Sequence, residues 1–564
     1  MQRAETKKLC DMMASEVDRA LSHLRRHAEP RPYYISYLVR DERIWRIQAR
    51  YGALQTQGSY RRRDCLADVR VGGYRYDQVQ EGGLNDNSTE EESYSYVDLP
   101  FGGDLDGVRH ALWRLTDARY REAMEAFLRK KADELTYLNT SRHLPAFEKR
   151  EPRVDLHWRP LPKVDTDYWT RFVKKASETQ RAYSDVKTSH VEFQCRQSVR
   201  IFVSSEGARV VQCQGYYSLD AYLWLLSDSG DAFPWTITRY VTDPSELPDL
   251  KSFCDEITQT VGLLRKLAKA PVVRSFSGPV LLEPGPAGLL IHEALGHRLE
   301  GNRLLSPGEG QTFRDTVGQR VLPEFLSMYD DASLDRFEKQ SLVGHYRYDD
   351  EGVPAQRATL IDHGVLKGFL TSRAGIEKKH TSNGHGRSRF NQRPISRMAV
   401  TVVESHQGLS KQELRARLVE EIKRQGVPYG IRIVRADGGE TATEGYNFQA
   451  FLGDINLATR VFPDGREELI RGVNFVGTPL NAVRSIVAAG NDYYVDNAQC
   501  GAESGYLPVS TISPSLLVGH LELQSKSEHP YTQYTYPIPW ADRKKSPGKN
   551  KPGKSAARNG KRFS

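Results

Sequence analysis

One stretch constrains this chain more than any other: Leu289 to Gly301, which reads Leu-Leu-Ile-His-Glu-Ala-Leu-Gly-His-Arg-Leu-Glu-Gly. Residues 280–284 and 287–291 just before its histidines are largely apolar, the pattern of a strand or loop feeding a buried helix. Neutral imidazoles bind Zn²⁺ well, and a carboxylate beside one ligand can take a proton from a metal-bound water. His292, Glu293 and His297 therefore resemble half of a hydrolytic metal site. The familiar zinc-peptidase motif sets its histidines four apart on one helix face. Here they are five apart, about 140° around an ideal helix. Gly296 precedes His297, and a glycine lets a helix end, bulge or kink at modest cost, so the helix geometry is expected to change there. The triad alone also suits two hydrogen-bonded core histidines; a third ligand and a context must separate the two readings.

At 564 residues the chain exceeds a single core, and two or three domains are expected. No run of eighteen apolar residues occurs and the first residues lack the apolar block of a signal peptide, so a soluble, cytoplasmic protein without membrane contact is expected. The six cysteines, Cys10, Cys65, Cys195, Cys213, Cys254 and Cys500, form no C-x-x-C pair, which fits free thiols in a reducing compartment. The net charge of +8 is local: residues 543–564 hold nine Lys and Arg and no acid, leaving 71 basic against 72 acidic residues elsewhere. That Gly/Pro/Lys-rich tail is expected to be disordered, with at most weak, unspecific binding to nucleic acid.

In chain order, helical periodicity covers 5–26, 108–138, 168–183 and 250–268. Strand patterns cover 33–38 and 44–53, joined by Asp41-Glu42-Arg43, then 65–71, 192–203 and 209–217. Residues 74–138 are expected to form an insertion that begins with a polar, Gly-rich surface excursion. After the histidine stretch, strands are expected at 356–362, 366–371, 398–404, 429–435, 457–462, 467–473 and 508–523, with helices at 411–424 and 479–489. His363-Gly364 is a tight-turn signal. The fold class is α+β. A mixed N-terminal domain, 1–275, precedes a β-rich domain, 276–530, whose curved or barrel-like sheet packs around the metal-site helix, and a basic tail, 531–564, follows.

Several blocks, in this order, resemble the TldD/PmbA metallopeptidases: Ile291-His-Glu-Ala-Leu-Gly-His-Arg-Leu-Glu-Gly, Asp349-Asp-Glu-Gly-Val-Pro-Ala-Gln, Ile361-Asp-His-Gly-Val-Leu-Lys-Gly-Phe, Thr381-Ser-Asn-Gly-His-Gly-Arg, Arg471-Gly-Val-Asn-Phe-Val-Gly, Ala489-Gly-Asn-Asp and Gln499-Cys-Gly. The resemblance is strong from about residue 278 to 523 and weaker before. It implies that His292 and His297 supply two zinc ligands and Cys500 the third, with one Zn²⁺ per active subunit and a fourth position for water. Cys500 follows a polar run and is expected near a chain turn rather than inside an apolar strand. Glu293 is then the general base, Glu300 a candidate hydrogen-bond partner of a ligand histidine, and His385 and Arg387 candidates for contacting the substrate. Implied too are peptide or unfolded substrates, an enclosed cavity between subunits, and a homodimer or a heterodimer with a related subunit. The other reading is a non-catalytic peptide-binding or modulator subunit of such a complex, against which the intact ligand set argues.

Overall fold

A computed structural model describes residues 1–79, 96–102, 105–136, 144–305, 312–389, 392–441, 451–475, 479–526, 530–536 and 538–539. The N-terminal half is built on one sheet whose long strands are Pro32–Arg50, Ala53–Gly73, Val186–Ser204 and Arg209–Leu226. Strand Ala232–Val241 extends it beyond Arg209–Leu226.

The first two expected strands and their connector are one strand. Asp41, Glu42 and Arg43 pair on both sides, with Arg63, Arg62 and Arg61 in one neighbour and with Val199, Ser198 and Gln197 in the other. No glycine, proline or asparagine is present to turn the chain there, and Arg61 and Arg63 donate to Asp41 at 2.7 and 2.6 Å, satisfying its carboxylate inside the sheet. The turn comes at Tyr51-Gly52, where both residues have positive φ.

Strand alternation then sorts the side chains. Odd-numbered Ile35, Tyr37 and Val39 pack under helices Arg3–His27 and Leu105–Thr136 at one end, and Ile47 and Ala49 under helices Thr166–Glu178 and Leu250–Leu267 at the other. Even-numbered Leu38, Leu66, Phe202 and Val210 face the other way, toward Tyr348 of the C-terminal half. Within the expected 74–138 insertion, Tyr76–Asp77 and Tyr96–Asp98 pair with the sheet and Val108, Leu112 and Phe127 join its core. Residues 80–95, 103–104 and 137–143 of that region lie outside the described residues.

In the C-terminal half, strands Ser275–Leu282, Gly430–Thr441, Phe451–Val461, Val473–Phe475 and Leu516–Ser525 close into a five-stranded barrel, because the last pairs with both Val473–Phe475 and Ser275–Leu282. Alternation again divides the faces. Val280, Leu282, Leu516 and Val518 enter the main core, while Leu281 and Leu517 hold helix Lys411–Gln425 through Leu414, Leu418 and Ile422. A second sheet runs Val365–Leu366, Arg357–Asp362, Leu326–Asp331, Val400–Ser405, Gly505–Ser513, Tyr494–Ala502. Helix Pro284–Ile291 lies in the core shared by barrel and second sheet, Leu290 and Ile291 packing with Ile431, Val473, Met328 and Val509. The fold is α+β, with a barrel around this helix.

Four expected elements differ. The strand 467–473 is two, Glu467–Ile470 and Val473–Phe475, interrupted at Gly472, whose φ is positive. The strand 508–523 is two, Gly505–Ser513 and Leu516–Ser525, split at Pro514-Ser515 and belonging to different sheets. The helix 479–489 ends at Arg484, and Ile486–Gly490 pairs with Leu516–Ser525, edge pairing overriding a marginal helical pattern. The strand 366–371 is only Val365–Leu366, closing a hairpin in which His363 and Gly364 both have positive φ. Among the described residues no helix is long and apolar enough to cross a membrane. All six cysteines are free thiols. Tyr531 donates its backbone N–H to Gly230 and rests edge-on against Trp224, while the tail from residue 540 lies outside the described residues.

Candidate metal centre

Pro284 opens the helix at a position where its missing N–H leaves no bond unmade. Regular α geometry lasts to Ile291. From His292 to Gly296 the turn widens to π geometry, with the His297 N–H bonding the His292 carbonyl, and His297–Leu299 then tightens to a 3₁₀ turn. A five-residue closure puts residues five apart, not four, on one side. The rings of His292 and His297 accordingly stand 5.0 Å apart, centre to centre, and nearly perpendicular. Gly296 makes the wide turn fit, since a side chain there would collide with the Met398 sulfur.

Cys500 arrives from strand Tyr494–Ala502, paired with Leu507 in the hairpin that closes at Ala502 and Gly505. It is thus inside a strand, correcting the turn expected there, though only two residues from the hairpin end. One donor atom each from His292, His297 and Cys500 lies within 4.8 Å of the others, and Cys500 Sγ is 3.4 Å from His297 Nε2. All three side chains are buried. Burial alone would raise the Cys500 thiol, yet His297 and His292 outweigh it and hold it well below its ordinary value, which favours the thiolate. Burial likewise works against protonation of the two imidazoles, and the thiolate outweighs it.

Behind His297 sits Glu300, fully buried, its Oε2 3.1 Å from His297 Nδ1. Burial opposes its charge, but His297, Arg397 and Arg303 together hold it ionised. An ionised carboxylate only accepts, so His297 Nδ1–H donates and Nε2 is left facing Cys500. Two arginines complete the clamp. Arg303 Nε bonds the His297 carbonyl at 2.7 Å and its Nη1 reaches Glu503 at 3.0 Å. Arg397 Nε is 3.3 Å from Glu300 Oε1, while its terminal nitrogens donate to the carbonyls of Cys500 and Gly505, each at 2.9 Å. Helix and hairpin are therefore tied through one buried carboxylate. Sequence reasoning passed over Arg397; its signal was a charge directly abutting the apolar run from Met398 to Val403.

Glu293 is buried on the same wide turn, its carbonyl accepting from Arg298 at 2.9 Å and from the Thr441 hydroxyl at 3.2 Å. Strand Gly430–Thr441 crosses so close that a Cβ on Gly439 would lie 2.8 Å from Glu293 Cγ. Asp496, four residues before Cys500, is a half-buried carboxyl whose pKa desolvation raises and nearby His292 opposes, and was also missed. His385 and Arg387 have protein partners. His385 bonds Asp330 at 3.1 Å and Asn383 at 2.9 Å, fully buried, while Arg387 donates to the carbonyls of Met398 and Pro508.

Two imidazoles and one thiolate match the borderline-soft preference of Zn²⁺, and three protein ligands leave a position for substrate or water. His292, His297 and Cys500 thus form a buried three-donor group that could hold a metal ion, with Glu293 on the same turn. Residues 275–525 match the PmbA/TldA metallopeptidase C-terminal domain. A metalloprotease of Archaeoglobus fulgidus is 32% identical over 262 residues, which is 46% of this chain and 56% of that protein. A zinc metalloprotease TldD homolog of Saccharolobus solfataricus is 26% identical over 275 residues, 48% of this chain and 57% of its own length. The chain thus spans little more than half of these relatives. TldE from Thermococcus kodakarensis shares the fold, with a TM-score of 0.57 at 16% identity over 90% of this chain and all of that one. So does a Thermotoga maritima protein described as a putative modulator of a DNA gyrase, with a TM-score of 0.59 at 15% identity over 90% of this chain and 99% of that one.

Proposed function

We propose that this chain is the active subunit of a zinc-dependent peptidase, with His292, His297 and Cys500 holding the metal and Glu293 as general base. One observation carries the reading: three buried donors from a helix and a distant hairpin converge within 4.8 Å beside a buried carboxylate. Zn²⁺ bound there supplies Lewis-acid polarisation and lowers the pKa of a bound water toward 7. Glu293 accepts the proton of the attacking water and returns it to the departing amine. Glu300 fixes the His297 tautomer and ring orientation, and Arg303 and Arg397 hold Glu300 in turn.

The metalloprotease names of the relatives support peptide hydrolysis, and the zinc named for one of them supports the metal. Substrates in this reading are peptides or unfolded segments that enter a cavity closed by a second subunit, either a copy of this chain or a related one, in the cytoplasm. The likeness to TldE supports the related-subunit form.

The test is cleavage of an unstructured peptide mixture, read by mass spectrometry, for wild type and Glu293→Gln at equal zinc content. Loss of roughly 10²–10⁴ in rate is expected for the variant. Equal activity would refute the assignment of the base.

A further inference from the structure

A second charged concavity lies between the even-numbered face of the N-terminal sheet and the C-terminal half. It encloses about 200 Å³, and seven arginines but only three carboxylates line it. Its charge excess follows from strand register. Arg40 and Arg200 are direct cross-strand partners, and Arg196 projects from the same face. Like charges placed opposite one another in a sheet repel unless an anion sits between them.

The anions within the wall are shared, and Arg336 pairs at 2.9 Å with Glu246 outside it. Asp350 is shared by Arg40 at 3.5 Å and Arg200 at 2.7 Å, with Asp64 a further 3.8 Å neighbour of Arg40. Glu42 is shared by Arg196 at 3.2 Å and Arg389 at 3.4 Å. The Nε atoms of Arg196 and Arg200 are buried without a hydrogen-bond partner. Arg387, 4% exposed, bonds two neutral carbonyls and lies 5.0 Å under the Tyr346 ring. Burial presses its pKa down and Arg397 adds to it, outweighing Tyr346 and Asp350, which raise it. A buried cation without a carboxylate is costly, and guanidinium clusters of this kind suit oxyanions, which they bind through paired N–H groups.

We infer that this cavity binds a ligand presenting two or more anionic oxygens together, either a small free oxyanion or the clustered carboxylates of an acidic peptide segment. Its wall includes Leu507 and Pro508, the hairpin partners of Cys500 and Gln499, so an occupant rests against the strand pair that carries the thiolate. The inference does not depend on peptide cleavage.

The test is isothermal titration of the full-length protein with inorganic phosphate and, separately, with tri-glutamate, at low and at raised salt. Salt-sensitive binding of at least one probe is expected. Arg196→Gln should weaken it about tenfold, since a charge-assisted contact is removed while Arg389 still pairs with Glu42. Glu42→Gln should tighten it several-fold by releasing two arginines, a sign that damage to the fold cannot imitate. Binding of tri-glutamate alone assigns the site to acidic segments; equal binding of phosphate assigns it to free anions. Binding of neither probe at millimolar concentration, or binding indifferent to both substitutions, overturns the inference.

Discussion

The triad centre and the arginine-lined cavity are both polar sites inside the fold, yet they are assembled in opposite ways. At the triad, nine consecutive residues from His292 to Glu300 supply two imidazoles, the proposed base and the carboxylate bonded to His297, and a single hairpin adds the thiol sulfur. Its charges are matched: thiolate against imidazole, Glu300 against Arg303 and Arg397. The cavity draws on three strands of one half and on loops and strand Gly505–Ser513 of the other, and its arginines outnumber its acids. A site written in one stretch closes on itself, whereas a site written by register is left open to an outside partner.

The largest effect should come from breaking the one long-range link in the triad. Cys500→Ala is expected to weaken zinc binding by more than about 100-fold and to remove activity with it, judged against the 10–100-fold typical of orienting residues. Metal analysis after dialysis reads this, and near-stoichiometric zinc with full activity would refute the ligand. The same variant should leave anion binding in the cavity unchanged, which tests whether the two sites are separate.

Glu300→Gln comes next, with zinc affinity falling by roughly 10–100-fold, because a carboxamide can offer His297 Nδ1 its oxygen but no charge, and Arg303 and Arg397 lose their shared anion. Competition with a chromophoric chelator measures it; unchanged affinity would make Glu300 a mere space-filler. Gly439→Ala should lower kcat by roughly tenfold at constant zinc occupancy, since the added methyl displaces Glu293 and not the ligands. Loss of zinc in parallel would show that the strand supports the metal rather than the base.

The smallest effect sharpens the electrostatics beside the cavity. The turn that supplies Asp350 also buries Asp349 and half-buries Glu351. Burial raises Asp349 to about 6, although it accepts backbone N–H groups from Glu351, Val353 and Gly386, and burial and then Asp349 push Glu351 up to about 8. A carboxyl raised on folding binds a proton in the native state that the unfolded chain has already released, so stability falls as pH rises from the ordinary carboxylate range to about 8. Glu351→Gln should flatten that decline in Tm between pH 5 and pH 8. An equally steep decline in the variant would remove Glu351 as its source.

The same contrast explains what the sequence disclosed. Gly296 marked where the helix had to change, because a local spacing conflict demanded a local remedy. Strand alternation made both halves legible as sheets, although Asp41-Glu42-Arg43 read as a joint, since the arginines that neutralise Asp41 lie some twenty residues away. Arg397 and Asp496 escaped notice for the same reason: each matters through partners about 100 and 200 residues distant in the chain. The cavity was invisible as a site because its arginines are ordinary strand residues until register places them on one face.

The wide turn at His292–Gly296 has a further geometric consequence. It takes up one residue more than an α-turn, and one residue corresponds to about 100° of rotation about the helix axis. Everything beyond it, from His297 through Glu300 to Arg303, is carried round by that angle without any change in where the helix begins. The turn works as a phase shifter: it lets one stretch of chain keep its apolar side against the barrel upstream and present its polar side to the thiolate hairpin downstream.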